Sequence, residues 1–345
     1  MLTFRRALFG AAFFFMTILL ITSSHSGTSS NTYYEQSHNS SAAEPPSSNV
    51  NNREADSRKI LQDMSRASLQ QKLEYHYPYH LETKFPAYIW QTWKFTPASG
   101  EFKESYRPAE ASWTELHPSF IHEVISDQVA IYLLRHLYAN LPEVVEAYIS
   151  LPLDILKADF FRYLILFARG GIYSDIDTYA IKSAVEWLPE SVPREAIGMV
   201  IGLKSELNNE NLVSFSPRQI QFCQWTIQAK AGHPVLREIV ANITQATLQR
   251  RIDGSLSKFD LNTIDEFTGS ILWTDIILKY FNDERYFDMN TSNGNFVRDD
   301  FSGITSPKKV GDIVILPKTS FNPDNNQLGD GGLSDPLAFV KHEFA

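Results

Sequence analysis

Hydropathy divides the chain into three stretches. Arg5 and Arg6 precede an uncharged run from Ala7 to Thr22 that holds Phe13, Phe14, Phe15, Ile18, Leu19, Leu20 and Ile21. As a helix this run covers ~24 Å of a ~30 Å hydrocarbon core, a short span suited to thinner membranes of the early secretory pathway. Residues 23–58 are rich in Ser and Asn, carry Pro45-Pro46 and hold almost no aliphatic side chains. Such a stretch cannot bury enough apolar area to offset its ordering entropy. A polar helix is predicted over 59–76, and the folded domain is expected from near Phe85. Within it, short apolar runs at 87–90, 120–125, 172–174, 197–203 and 312–316 predict strands. Longer patterns at 128–138, 142–150, 153–168, 233–249 and 265–281 predict helices. Strands alternating with helices imply an α/β fold with an open, mostly parallel sheet, whose ligands sit at the carboxyl ends of strands.

Composition and charge narrow this picture. The chain has 345 residues, 43% of them hydrophobic, which is ample for a core. A formal net charge of −9 argues against a nucleic-acid partner, which calls for a basic footprint. The lone Cys223 excludes an intramolecular disulfide framework and reads as a small buried hydrophobe. No internal repeat is visible. No Lys or Arg follows Arg6 until Arg53, so the positive-inside rule places Arg5 and Arg6 in the cytosol and the rest in the lumen. The expected organisation is a cytoplasmic tail (1–6), a signal-anchor helix (7–22), a stem (23–84) and a catalytic domain (85–345). A cleaved signal peptide is the rival reading, since Ser23, Ser24, Ser26 and Gly27 supply small residues for cleavage. Sequons at Asn39, Asn242 and Asn290 give weak support for a lumenal chain.

Two groups of residues carry the candidate chemistry. Asp175 and Asp177 lie two apart at the end of an apolar strand and point to the same side. Like charges that close repel unless something compensates, and a hard divalent cation with oxygen ligands does so. Taken alone, Asp-x-Asp is common and reads as a solvated turn; after a Gly-Gly break and an apolar strand the metal reading stands level with it. Asp159 and Arg162 share one face of a helix that is apolar nearly all round, and such a helix is buried. A buried charged pair there points to a polar ligand; the alternative is a surface ion pair.

The run Leu153–Thr178, "LDILKADFFRYLILFARGGIYSDIDT", resembles the signature of glycosyltransferase family 32, the group with a DXD sugar-binding region. More narrowly it resembles the fungal initiation-specific α-1,6-mannosyltransferases. "FPAYIWQTWK" (85–94), "QFCQWTIQAKAGHPVL" (221–236), Thr268-Gly269 with Trp273-Thr274-Asp275, and 312–321 followed by Leu328-Gly329 resemble other segments of that family. The similarity covers roughly Phe85 to Ala345.

The resemblance implies a GT-A-type nucleotide-sugar-binding fold. It implies metal binding by Asp175, Asp177 and His342, with Mn²⁺ or Mg²⁺ as cofactor. Asp159 and Arg162 match residues that hold the donor's sugar and ribose region. Trp90, Gln91, Thr92 and Tyr173 join Asp175 in the expected donor pocket, with Trp90 a candidate to stack on guanine and Trp93 structural. Asp275 and Asp330 are acceptor-side candidates, Asp275 in a catalytic role, and Gly329–Gly332 is a candidate lid. The implied reaction is retaining, metal-dependent transfer of mannose from GDP-mannose to the N-linked glycan of a glycoprotein, through an α-1,6 linkage. Arg162 and the metal are expected to stabilise the leaving diphosphate. The implied setting is the membrane of the early Golgi cisternae, as a single-pass type II protein, with a multi-enzyme mannosyltransferase complex as a further partner. A transferase with another acceptor, such as inositol phosphoceramide, and a non-catalytic glycan-binding relative stay open as alternatives.

Overall fold

The structure is a computed structural model that describes residues 66–206, 220–287, 295–323 and 332–343. The expected tail and span, the stem to residue 65, Asn39, Asn290, Asp330 and Gly329 to Gly331 of the candidate lid lie outside the described residues. Among those described, no helix is long and apolar enough to cross a membrane.

The packed domain begins upstream of Phe85. Helix α1 (Leu69–His76) starts at a capping box in which Ser68 and Gln71 satisfy each other's backbone N–H groups. It buries Leu69 and Leu73. Tyr77 continues the stripe, its ring 5.1 Å from that of Phe167, and the Tyr79 hydroxyl donates to Asp312. Residues 69–84, assigned from the sequence to the stem, are thus held by the domain. Their apolar positions fall four apart, a stripe too narrow to stand out in a polar segment.

The elements that follow are β1 (Tyr88–Trp93), α2 (Arg107–Leu116), β2 (Ile121–Ser126), α3 (Asp127–Leu137), α4 (Pro142–Ser150), α5 (Asp154–Arg169), β3 (Gly171–Ser174) and β4 (Thr178–Ala180). After them come β5 (Met199–Glu206), β6 (Ile220–Phe222), β7 (Thr226–Ala229), α6 (Pro234–Ile252), α7 (Ser270–Phe281), β8 (Lys308–Val310), β9 (Ile313–Leu316) and β10 (Val340–His342). The main sheet has the order β2-β1-β3-β7-β5-β9-β8, with β6 paired to β5. β1 is parallel to β2 and β3, and β9 to β5. β7 is antiparallel to both β3 and β5, so β1, β2, β3, β5 and β9 share one direction and β7 is the reversed strand among them. β10 and β4 form a separate two-stranded antiparallel sheet.

Side chains alternate across the sheet with the period of two that strands impose. Trp90, Tyr173, Met199, Ile201, Ile313 and Ile315 join the core that holds α5, α6 and α7. Ile89, Ile172, Val200, Val314 and Leu316 face a smaller core with Trp113, Trp187 and Phe321. The α5–β3 junction turns on Gly170 and Gly171, with φ of 65° and 99°. A Cβ on Gly171 would stand 2.6 Å from the Tyr88 carbonyl oxygen, so glycine is required for β3 to lie beside β1. The predicted helix over 265–281 is broken. A single turn at Ile264–Phe267 ends at Thr268, and α7 restarts after Gly269, which packs against the Asp265 backbone.

Candidate active site

β1, β3 and β5 end on one rim, and a cleft of about 460 Å³ opens there. Its walls include Thr92, Asp159, Arg162, Tyr173, Asp175 and Asp177, together with His342 from β10. The position is the carboxyl end of the parallel strands, as expected for an open α/β sheet.

The loop that presents Asp175 is fixed through its backbone. The Asp175 N–H donates to the Trp225 carbonyl at 2.8 Å. The Asp175 carbonyl accepts from the Gln91 amide at 3.1 Å, from the Thr178 N–H at 3.1 Å and from the Thr178 hydroxyl. Asp177 is tied to the chain's last strand, since its carbonyl accepts from the Glu343 N–H at 2.9 Å. The His342 Nε2 lies 3.3 Å from Asp177 Oδ1. One ligand atom each from Asp175, Asp177 and His342 falls within 4.8 Å of the others. Two carboxylates and an imidazole at this spacing fit a divalent cation of the Mn²⁺ or Mg²⁺ type. His342 also stacks on Trp225 with ring centroids 4.7 Å apart.

Behind this cluster lies a buried ionic network. Arg162 donates from Nη1 to Asp159 at 2.6 Å and from Nη2 to Asp175 at 2.9 Å. The Tyr173 hydroxyl donates to the same Asp175 oxygen at 2.9 Å. Burial, and then the Asp175 charge, push the Tyr173 phenol well above its ordinary range, so it stays a donor. Asp159 also accepts from the Thr268 hydroxyl at 2.8 Å and the Gln224 amide at 3.2 Å. Burial pushes the Asp159 carboxyl up to about 6, and the adjacent Arg162 charge opposes that rise. With both terminal nitrogens of Arg162 engaged by carboxylates, its guanidinium orients Asp159 and Asp175.

Other expected residues fall elsewhere. Trp90 does not line the cleft; it is buried, stacks on Tyr88 and donates to the Gly170 carbonyl at 2.9 Å. It lies mid-strand, beneath the rim, whereas Thr92 and Trp93 at the carboxyl end of β1 reach the cleft. Gln91 is fully buried and supports the Asp175 backbone from behind. Asp275 is half exposed on α7, is ion-paired with Arg298 and does not line the cleft, because α7 turns Thr274 inward at the adjacent position. Cys223 is buried with its thiol pushed up to about 12 by burial, which suits a packing residue. Asn242 lies mid-helix on α6, with the sequon's Thr244 fully buried.

Sequence reasoning missed Lys204, Gln224 and Trp225, all of which line the cleft. The Lys204 ammonium donates to the Ser270 hydroxyl at 2.8 Å. The sequence assigns the "QFCQW" segment no role, since nothing in it places β7 beside β3.

Comparison with known proteins agrees with this geometry. Residues 104–193 match the family described as "Glycosyltransferase sugar-binding region containing DXD motif". The initiation-specific α-1,6-mannosyltransferase of Candida albicans is 38% identical over 292 residues, covering 81% of this chain and 76% of that protein. The Schizosaccharomyces pombe protein of the same name is 36% identical over 274 residues, covering 79% of this chain and 65% of its own length. Inositol phosphoceramide mannosyltransferase 3 of S. pombe is 34% identical over 92 residues, or 27% of this chain and 24% of that protein.

Proposed function

The chain belongs to the glycosyltransferase family with the DXD sugar-binding region and is a mannosyltransferase, and from that premise we propose that it transfers mannose from GDP-mannose to an N-linked glycan through an α-1,6 linkage. The observation that carries the reading is the convergence of Asp175, Asp177 and His342 beside the Asp159–Arg162 pair at one cleft. Similarity to the α-1,6 relatives runs along four-fifths of the chain, whereas similarity to the sphingolipid enzyme stops after about a quarter, which favours a glycoprotein acceptor.

Asp175, Asp177 and His342 would hold Mn²⁺ or Mg²⁺. Such an ion supplies positive charge to a diphosphate leaving group. Arg162 fixes the Asp175 carboxylate through one amino group and Asp159 through the other, so both acids are held before substrate arrives. Tyr173 restrains the same Asp175 oxygen. The Trp225 ring holds the His342 imidazole in place from one face. Trp93 and Lys94 line the cleft as well, on the side of Asp127 and Asp154. The donor sugar is α-configured and the proposed product is α-linked, so configuration is retained. The setting proposed is the early Golgi membrane, with residues 7–22 as a type II anchor.

The test is transfer by the detergent-solubilised full chain from GDP-mannose to a high-mannose N-glycan, with Mn²⁺ and with EDTA. Metal-dependent transfer that is lost in the Asp175→Ala, Asp177→Ala double variant supports the reading. Transfer to inositol phosphoceramide alone would replace the acceptor, and the absence of both GDP binding and transfer would overturn the proposal.

A further inference from the structure

Gln224 sits between β6 and β7 and lines the cleft. Its amide is held at both ends. The Tyr163 hydroxyl donates to Oε1 at 2.7 Å, and Nε2 donates to Asp159 Oδ1 at 3.2 Å. A carboxylate accepts only, so Asp159 fixes which end of the amide faces it. Tyr163 is fully buried, with its phenol pushed well above the ordinary range first by burial, so it stays a donor and agrees with that assignment. A primary amide carries two N–H groups. The second one on Gln224 has no partner among the described residues, and the side chain is only partly covered.

Asp159 is the acceptor that aims this amide. Its Oδ1 accepts from Arg162 and Gln224, whereas Oδ2 accepts from Thr268 alone. Oδ2 is bonded to the fully buried Thr268, so the free hydrogen-bonding capacity on this part of the wall is the Gln224 amide. The cleft wall therefore holds one spare N–H donor on a frame fixed by Asp159 and Tyr163. A hydroxyl both donates and accepts, and a pyranose presents such groups in fixed directions.

We propose that Gln224 is a specificity-determining residue that hydrogen-bonds a ring hydroxyl of the donor's sugar, in concert with Asp159. The inference rests on the donor reading above and adds the residue that discriminates the sugar from the nucleotide carrying it. A site built to hydrogen-bond a hydroxyl discriminates strongly, because an ill-fitting ligand leaves its polar groups unpaired. On this proposal Gln224 meets the sugar and not the guanosine diphosphate.

Titration calorimetry of the full chain with Mn²⁺ separates the two, using GDP and GDP-mannose as paired ligands. For Gln224→Leu, affinity for GDP-mannose should fall by on the order of 10- to 100-fold, with GDP unchanged within about twofold. Gln224→Glu keeps the shape and replaces the amide donor with a second acid beside Asp159. It should show the same split, and it serves as the second variant if the leucine form fails to fold. Equal losses for both ligands would mean that Gln224 only supports the fold, and no loss for either would mean that it is idle; both results overturn the inference. Wild-type chain that binds neither ligand overturns the donor reading itself and this inference with it.

Discussion

Asp159 and Asp312 are both buried carboxylates with four polar neighbours or fewer, yet they sit at opposite ends of the sheet. Asp159 stands on α5 behind the carboxyl ends of β1 and β3. Asp312 immediately precedes β9, at the end where β5 and β9 begin, and its carbonyl accepts from the Gly198 N–H at 2.7 Å. Asp312 is closed in. His233 Nε2 lies 3.3 Å away, and the hydroxyls of Tyr79 and Tyr280 both donate to it. Burial alone would raise its carboxyl, but His233 and the two phenols outweigh that and hold it well below the usual range. Asp159 goes the other way, up to about 6, because burial dominates and its arginine is shared with Asp175. A carboxylate whose partners fully stabilise its charge belongs to the fold. One whose charge is left costly beside an open cleft is held in readiness for a ligand.

The largest effect that would sharpen this contrast is at the cleft. Asp175→Ala with Asp177→Ala should cut turnover by on the order of 1,000-fold or more while the melting temperature stays within a few degrees. Thermal unfolding beside a transfer assay checks both halves. A collapse of stability in parallel with activity would erase the distinction between the two ends of the sheet.

At the closed end the pattern should invert. Asp312→Asn leaves one acceptor oxygen for two tyrosines and takes the charge away from His233, and should cost about 2–4 kcal/mol of folding stability. The folded fraction should keep wild-type kcat/KM. Asp159→Asn should do the opposite. It should cost no more than about 1 kcal/mol, since Arg162 keeps Asp175, while transfer falls by on the order of 100-fold.

Acid separates the same two groups. The folded Asp312 carboxyl lies below its unfolded value near 4, so its contribution to stability is full above about pH 4 and is lost as pH falls. The folded Asp159 carboxyl lies above its unfolded value, so its ionisation weakens the fold as pH rises from about 4 through about 6. The network needs Asp159 as an acceptor, so kcat/KM should fall below about pH 6. That acid limb should vanish in Asp159→Asn, and pH–rate profiles of the two proteins test it.

How much of this was legible in the sequence follows from the range of each interaction. Helices α3 to α6 and the strands at 121–126, 171–174 and 313–316 were readable within a residue or a few, because local periodicity and Gly170-Gly171 specify them. So was the Asp159, Arg162, Asp175, Asp177 set, since one helix and one strand carry it. The short strands β4, β6, β7, β8 and β10 were missed. They run three or four residues each, too short to show a period, and are defined by pairing partners far away in the chain. That loss explains the overlooked cleft residues, because Gln224 and Trp225 reach the site only once β7 pairs with β3. Trp90 failed for a different reason. Its neighbourhood was right, but it shares a face with Thr92 two residues short of the strand's carboxyl end, where that face is still covered by the core.

The smallest expected effect is the one at Asp275, and it tests the rim from outside. Sequence resemblance made Asp275 a catalytic candidate on the acceptor side, yet it pairs with Arg298 on a half-exposed face of α7. The residue beside it, Thr274, turns inward and accepts the Phe222 N–H at 3.0 Å. A solvent-screened pair of this kind is worth about 0–1 kcal/mol. Arg298 has a second anchor in the Ile220 carbonyl at 2.7 Å, so losing the carboxylate leaves it held. Asp275→Ala should therefore change kcat/KM by less than about twofold and stability by less than about 1 kcal/mol. Thr274→Val should be the more damaging change of the two, because it leaves the buried Phe222 N–H without an acceptor. If Asp275→Ala instead lost transfer selectively at unchanged GDP-mannose affinity, the acceptor would have to reach across α7. The working rim of the cleft would then extend beyond the carboxyl ends of the parallel strands.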